Sequence, residues 1–255
     1  MSAITEQLRI KWTRWQQAQE YERGFWQRLS CSIESGVTGQ LDWYRWRAAQ
    51  LEALLARVPG SFPRLGRVLE IGSGPIGIVN FLDWAERYAI DPLESFYAKQ
   101  PSLVRLRNPA VTYLAGSGEQ LPLEDASCGL VIIDNVIDHT YAPESILREI
   151  SRVLESAGRL YLSVNIHTPW GAFLHNLLAM LRIDKGHPYT FTSASLRQLL
   201  VRGGFTIELE EVGDYSGARD ADRRSVRLTD RIKGYTGLSE FQHLVVCSKS
   251  SVPGR

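Results

Sequence analysis

The sequence predicts an α/β fold, with a mostly parallel sheet covered by helices on both faces. Three observations predict it. From residue 66 onward, apolar runs of four to eight residues alternate with helical segments, the pattern of βαβ units. A glycine-rich turn, Gly72-Ser73-Gly74-Pro75-Ile76-Gly77, follows the first of these runs. The chain has 255 residues, 44% of them apolar, enough to bury a core without disulfide or metal staples.

Each element has its own justification. Residues 1–60 read as two helices, a helical cap or lid. In the first, about Thr5 to Ser35 and stopping near Gly36, Ile4, Leu8, Trp12, Trp15, Trp26, Leu29 and Ile33 share one face at helical spacing, and Gln19 and Glu22 interrupt it. The second, about Gln40 to Val58, ends at Pro59-Gly60. Leu41, Tyr44, Ala48, Leu51, Leu55 and Val58 form its apolar face, and Trp43 and Trp46 on the other side predict a second covered face. The strands of the main domain (61–250) are predicted at 67–71, 88–91, 110–114, 128–134, 159–165, 206–212 and 241–248, seven in all. A helix is expected directly after the glycine turn, another over 142–154, and a third with Thr192 or Ser193 as N-cap. Residues 168–190 read as an inserted helical segment and 214–238 as a variable one, with a frayed tail at SSVPGR.

Composition narrows the function. Lys+Arg total 29 against 28 Asp+Glu, a formal net charge of +1, which argues against a nucleic-acid-binding protein. Three scattered cysteines, Cys31, Cys128 and Cys247, make neither a disulfide framework nor a metal clip, and no His/Cys/Asp group has metal-ligand spacing. No apolar run reaches the roughly 18 residues of a membrane span, and MSAITEQLRIKWTRW lacks a signal peptide's apolar core. The expectation is a cytoplasmic protein, with homodimerisation open. The tryptophans are unevenly placed: five of seven, Trp12, Trp15, Trp26, Trp43 and Trp46, precede residue 47.

The chemistry begins at the glycine turn. Its glycines permit a tight turn and close approach of a ligand to the backbone. Asp91 ends the next strand 17 residues after Gly74, where a carboxylate accepts hydrogen bonds from both hydroxyls of a ribose. This pair implies an adenosine-containing ligand, a nicotinamide dinucleotide or S-adenosylmethionine. Pro75 removes a backbone N–H from the loop and makes it a poorer pyrophosphate cradle.

The block GEQLPLEDASCGLVIIDNVIDHTYAPESILREISRVLESAGRLYLSVN (118–165) then resembles class I S-adenosylmethionine-dependent methyltransferases in residues and in order. The resemblance covers about 66–212. IDPLESFY (90–97), GEQLP and NVIDHT look like a branch acting on small molecules or glycans. It implies a Rossmann-like domain in which Glu70, Gly72, Ser73 and Gly74 line the methionine end of the cofactor. Asp91, with Pro92 beside it, holds the ribose, and Gly118 and Glu119 flank the adenine. Asp134 and Asn135 lie near the sulfonium and the methionine ammonium. Ser117 stands where many members carry an acid, and Glu155-Ser156-Ala157-Gly158 replaces a common Lys-Pro-Gly-Gly turn.

A hydroxyl acceptor also needs a base. His139, after the fourth strand, is the first candidate, with Asp138 and His167 next; the alternative for His139 is a histidine capping the following turn. Trp15, Gln19, Glu22, His187 and Tyr189 are candidate acceptor contacts. The first helix has three readings: core packing, a substrate lid, or a membrane or dimer surface. The Arg- and Asp-rich segment 214–233 is either a solvated, salt-bridged helix or an anion-binding lid. The expected activity is methyl transfer to oxygen or nitrogen of a small molecule or sugar. The competing classes are a nicotinamide-dependent oxidoreductase and a non-catalytic cofactor-binding partner protein.

Overall fold

The structure, a computed structural model, describes residues 3–34, 42–58, 66–180 and 188–250, with side chains from Trp12 onward apart from Arg14, Ala179 and Met180. The expected stops at Gly36 and Pro59-Gly60, the side chains of Ile4 and Leu8, Leu41, and His187 lie outside the described residues.

Strand β1 (Arg67–Ile71) lies inside the sheet. It pairs in parallel with β2 (Glu86–Asp91) on one side and β4 (Cys128–Asp134) on the other. Strand β3 (Val111–Ala115) adds in parallel to β2, and β5 (Leu154–Ile166) to β4. The last strand, β7 (Phe241–Lys249), inserts antiparallel between β5 and β6 (Phe205–Val212). The sheet order is therefore β3-β2-β1-β4-β5-β7-β6, the seven-stranded, mostly parallel sheet that the sequence predicts. All seven residues of β4 are buried, as a central strand covered on both faces requires.

Alternate residues of each strand feed two cores. Leu69, Ile71, Val131, Ile133, Leu160 and Leu162 face helices α5 (Pro143–Val153) and α7 (Ser193–Arg202). Helix α5 buries Ile146, Leu147, Ile150 and Val153, an i, i+1, i+4, i+7 stripe. Thr192 caps α7, with Ser195 completing a reciprocal capping box.

The opposite face departs from expectation. No α-helix follows the glycine turn; a single 3-10 turn, Ile78–Phe81, stands there. Gly74 and Gly77 adopt positive φ, Pro75 lacks a donor, and the Glu70 carboxylate takes the N–H of Val79 at 2.8 Å. These features break the helical ladder before it begins. The vacant face is covered from the N-terminal segment instead. Helix α2 (Asp42–Leu55) packs Tyr44, Ala48, Leu51, Leu54 and Leu55 against Val68, Val79, Leu130, Ile132 and Val246. It has one covered face and not two: Trp43 and Trp46 are 45% and 51% exposed. Their rings lie 5.2 and 5.5 Å from the guanidinium of Arg47, so they screen a cation and not a second core.

Helix α1 (Ala3–Glu34) runs along the site edge and packs Ile33 with Tyr97 and Leu103, from the short helices α3 (Glu94–Tyr97) and α4 (Pro101–Val104). Helix α6 (Pro169–Met180) follows β5. Segment 214–233 forms two packed helices, α8 (Tyr215–Arg224) and α9 (Leu228–Thr236), where one was expected. Arg219 and Arg223 both donate to the carbonyl of Gly234 and hold α8 on α9.

Candidate active site

Because β1, β2 and β4 are parallel, Ile71, Asp91 and Asp134 end on one edge of the sheet. That edge opens a cavity of about 220 Å³ beneath α1 and α2, in the place where open α/β sheets hold ligands.

The glycine turn forms one wall. Gly72 has φ +69°, and a Cβ there would stand 2.5 Å from Val136. Gly74 has φ +60°, and its Cβ would meet the Tyr44 hydroxyl at 3.0 Å and Trp26 at 3.3 Å. Both positions exclude a side chain by conformation and by space. Asp91 stabilises the turn: its Oδ2 accepts from the N–H of Gly74 at 2.9 Å and its Oδ1 from Leu93 at 2.8 Å. Each carboxylate oxygen retains a lone pair for a further donor.

Asp134 is buried at the end of β4 and faces Arg47 of α2, whose Nη1 donates to Oδ1 at 3.1 Å. Ser163 of β5 also donates to that oxygen. Arg47 was not among the predicted site residues. It sits beside two tryptophans on a helix face that reads as a second apolar side, and no spacing signals a partner 87 residues away. Asn135 adopts φ +57°, and its Oδ1 accepts from the N–H of Asn165 at 3.3 Å. Glu119 accepts from the N–H of Tyr141 at 3.3 Å, with Ser117, Gly118 and Ile146 beside it in the wall.

Helix α1 supplies the opposite side. Trp15, Gln19, Glu22 and Trp26 all line the cavity, and Trp26 donates to Glu22 at 2.8 Å. Trp12 and Trp15 pack edge-on to Tyr141 at 5.2 and 5.6 Å. This aromatic group joins α1 to the segment following β4.

The three candidate bases separate. His139 lines the main cavity, with its Nε2 3.7 Å from Asp138 Oδ2. Asp138, His167 and Tyr189 instead line a neighbouring cavity of about 10 Å³, with His175 and Glu240, a space of one water molecule. Tyr189 donates to the carbonyl of Tyr141 at 3.0 Å. Among the described residues no His/Cys/Asp/Glu group is arranged to hold a metal. No arginine of 214–233 lines the main cavity.

The electrostatics are one-sided. Glu22, Glu70, Asp91, Glu119 and Asp134 line the main cavity, and among the described lining residues there is no Lys or Arg. Burial raises the carboxyl of Glu70 to about 8, although the N–H groups of Val79 and Ile78 oppose it; Asp134 and Asp91 add repulsion. Burial likewise brings Asp91 to about 6 against its two backbone donors, with Glu22 and Glu94 adding repulsion. Asp134 is raised by burial, opposed by Arg47 and Ser163, and Glu119 is raised by burial. Such a cavity favours a cationic ligand and disfavours an anionic one.

S-adenosylmethionine fits this donor set. Asp91 suits the ribose hydroxyls, and the wall of Ile146, Gly118 and Glu119 suits a flat adenine. Asp134, and Glu70 in the ionised form that a neighbouring cation would favour, suit a ligand end carrying sulfonium and ammonium charge.

The comparisons with known proteins agree. Residues 69–162 match the family model described as a methyltransferase domain. A protein of Mycobacteroides abscessus named as an uncharacterized methyltransferase is 32% identical over 48% of this chain and 44% of its own. One of Mycolicibacterium smegmatis, named as a probable S-adenosylmethionine-dependent methyltransferase, is 28% identical over 72% of this chain and 66% of its own. The chain thus spans less than two thirds of the length of these curated relatives. Geranyl diphosphate C-methyltransferase from Streptomyces coelicolor, solved with S-adenosyl-L-homocysteine, superposes with a TM-score of 0.58 at 11% identity, over 81% of this chain and 80% of that one; at that identity the likeness is one of fold. Residues 69–162 thus carry the match to the methyltransferase domain model, and the chain shares the fold of that solved S-adenosylmethionine-dependent methyltransferase.

Proposed function

We propose that this protein transfers the methyl group of S-adenosylmethionine to an oxygen or nitrogen of a small molecule or sugar. The observation that supports this most is the acidic cavity at the ends of β1, β2 and β4. A nicotinamide dinucleotide brings a pyrophosphate, which the ionised carboxylates of this acidic cavity repel. The glycine turn also lacks the following helix whose N-terminus would hold it.

When bound, the cofactor supplies a methyl group activated on a sulfonium. The protein's part is placement. Gly72 and Gly74 bring the backbone close, Asp91 anchors the hydroxyls, and Asp134, held by Arg47 and Ser163, presents negative charge to the cationic end. The ring of Trp15, packed against Trp12 and Tyr141, lines the cavity, offers the acceptor a stacking surface and helps to exclude water. His139, the candidate base on the main cavity, takes the acceptor's proton in this reading.

The test is methyl transfer from labelled cofactor to panels of hydroxylated and amine-bearing small molecules and sugars. Label in any of them, lost in Asp91→Ala, supports the reading. Tight cofactor binding with no transfer to any acceptor, together with capture of a protein through α1 and α2, favours the non-catalytic partner class.

A further inference from the structure

We propose that the rim formed by α6 and α9 docks on an anionic membrane surface. Leu228, Ile232 and Tyr235 recur at i, i+4 and i+7 on α9, so they form one stripe. They are 69%, 49% and 65% exposed, and Val226, just before the helix, is completely exposed. A soluble face does not usually gather large apolar side chains in this way.

A second stripe adjoins the first. Trp170, Phe173 and Leu177 lie on one face of α6 and are also exposed, with the rings of Trp170 and Phe173 stacked at 5.8 Å. The indole of Trp170 donates to the carbonyl of Thr236 at 3.0 Å, which ties α6 to the end of α9.

Charge selects the occupant. Arg224, Arg227 and Arg231 are exposed around the α9 stripe, and no ion pair involves them among the described residues. The nearby acids are partly engaged: Asp230 accepts from Ser225, Asp220 pairs with Arg223, and Glu240 with Lys233. Asp222 remains, so the stripe's border is net positive. A second copy docking through the same patch would set arginine against arginine. Aromatic and aliphatic side chains bordered by arginines match the interface of a bilayer with anionic headgroups.

The position links this surface to the site. Ile166 pairs with Phe241, so the end of β5 and the start of β7 reach the same sheet edge as the main cavity. Helix α6 departs from that edge and α9 returns to it.

The test is flotation of the full chain with phosphatidylcholine vesicles, with and without phosphatidylglycerol. Binding at least about tenfold stronger to the anionic vesicles, and lost at high salt, is expected. Leu228→Ser/Ile232→Ser and Arg224→Gln/Arg227→Gln/Arg231→Gln should each reduce it about tenfold or more, with melting temperature and cofactor-product affinity unchanged. Equal binding to neutral vesicles, no binding to either, or insensitivity to both variants overturns the proposal. So does a dimer in light scattering that Leu228→Ser/Ile232→Ser dissolves, which would assign the stripe to a second copy.

Discussion

Two buried acids carry the residue-scale consequences. Glu70 holds its proton up to about pH 8 in the folded chain, against a reference value of 4.5. The unfolded chain has lost that proton above the lower value. The folded state therefore binds more protons between the two, and this contribution to stability falls as pH rises through about 8. Glu70→Gln keeps an oxygen for the Val79 N–H and removes the titration. Its melting temperature relative to the parent should be higher at pH 8 than at pH 5; an equal difference at both pH values contradicts the assignment. Asp91 behaves similarly up to about 6. If Asp91 holds the ribose as proposed, the hydroxyls donate to its ionised form, so affinity for S-adenosylhomocysteine should rise from pH 5 to pH 7, and Asp91→Asn should flatten that rise. Arg47 is the third case. Removing one partner of a buried ion pair costs roughly 3–5 kcal/mol, so Arg47→Met should lower stability on that scale at neutral pH. Arg47→Met/Asp134→Asn should recover much of it, as chemical denaturation will read.

At the scale of elements, the unusual feature is a substitution of one helix by another. The 3-10 turn after β1 leaves a face of the sheet bare, and α2 fills it. This makes α2 structural. Leu51 is fully buried there, and Leu51→Ala should cost roughly 2–5 kcal/mol by transfer and cavity terms. Helix α1 has a mixed role, burying Ala18 and Ile33 while turning Trp15, Gln19 and Glu22 to the cavity. Trp15→Ala should raise the acceptor KM with little change in melting temperature; the reverse pattern would make that stripe packing alone. The strands were legible because each is a short apolar run closed by turn residues, and β1 and β4 match their predicted ends. The helix after β1 was misread because Ile76, Ile78, Val79 and Leu82 imitate a helical apolar pattern. The decisive constraint, the Glu70 carboxylate capping Val79, is a tertiary one. The same holds for the site. Glycines and end-of-strand acids announce themselves by position, whereas Arg47 acts across 87 residues and leaves no local sign.

For the whole molecule, a near-neutral total conceals an uneven distribution. The net charge is +1, yet five carboxylates converge on one cavity and three exposed arginines border an apolar stripe on the same sheet edge. Composition alone argued against a nucleic-acid partner; the distribution is the ground on which a cationic ligand is proposed for the cavity. Titration calorimetry of the purified chain tests this most directly, with S-adenosylhomocysteine and S-adenosylmethionine beside NADH. One-site binding of the first two is expected, weakened by roughly 1–3 kcal/mol in Asp91→Ala, with NADH bound far more weakly. No heat with either adenosyl ligand, or tighter binding of NADH, would contradict it.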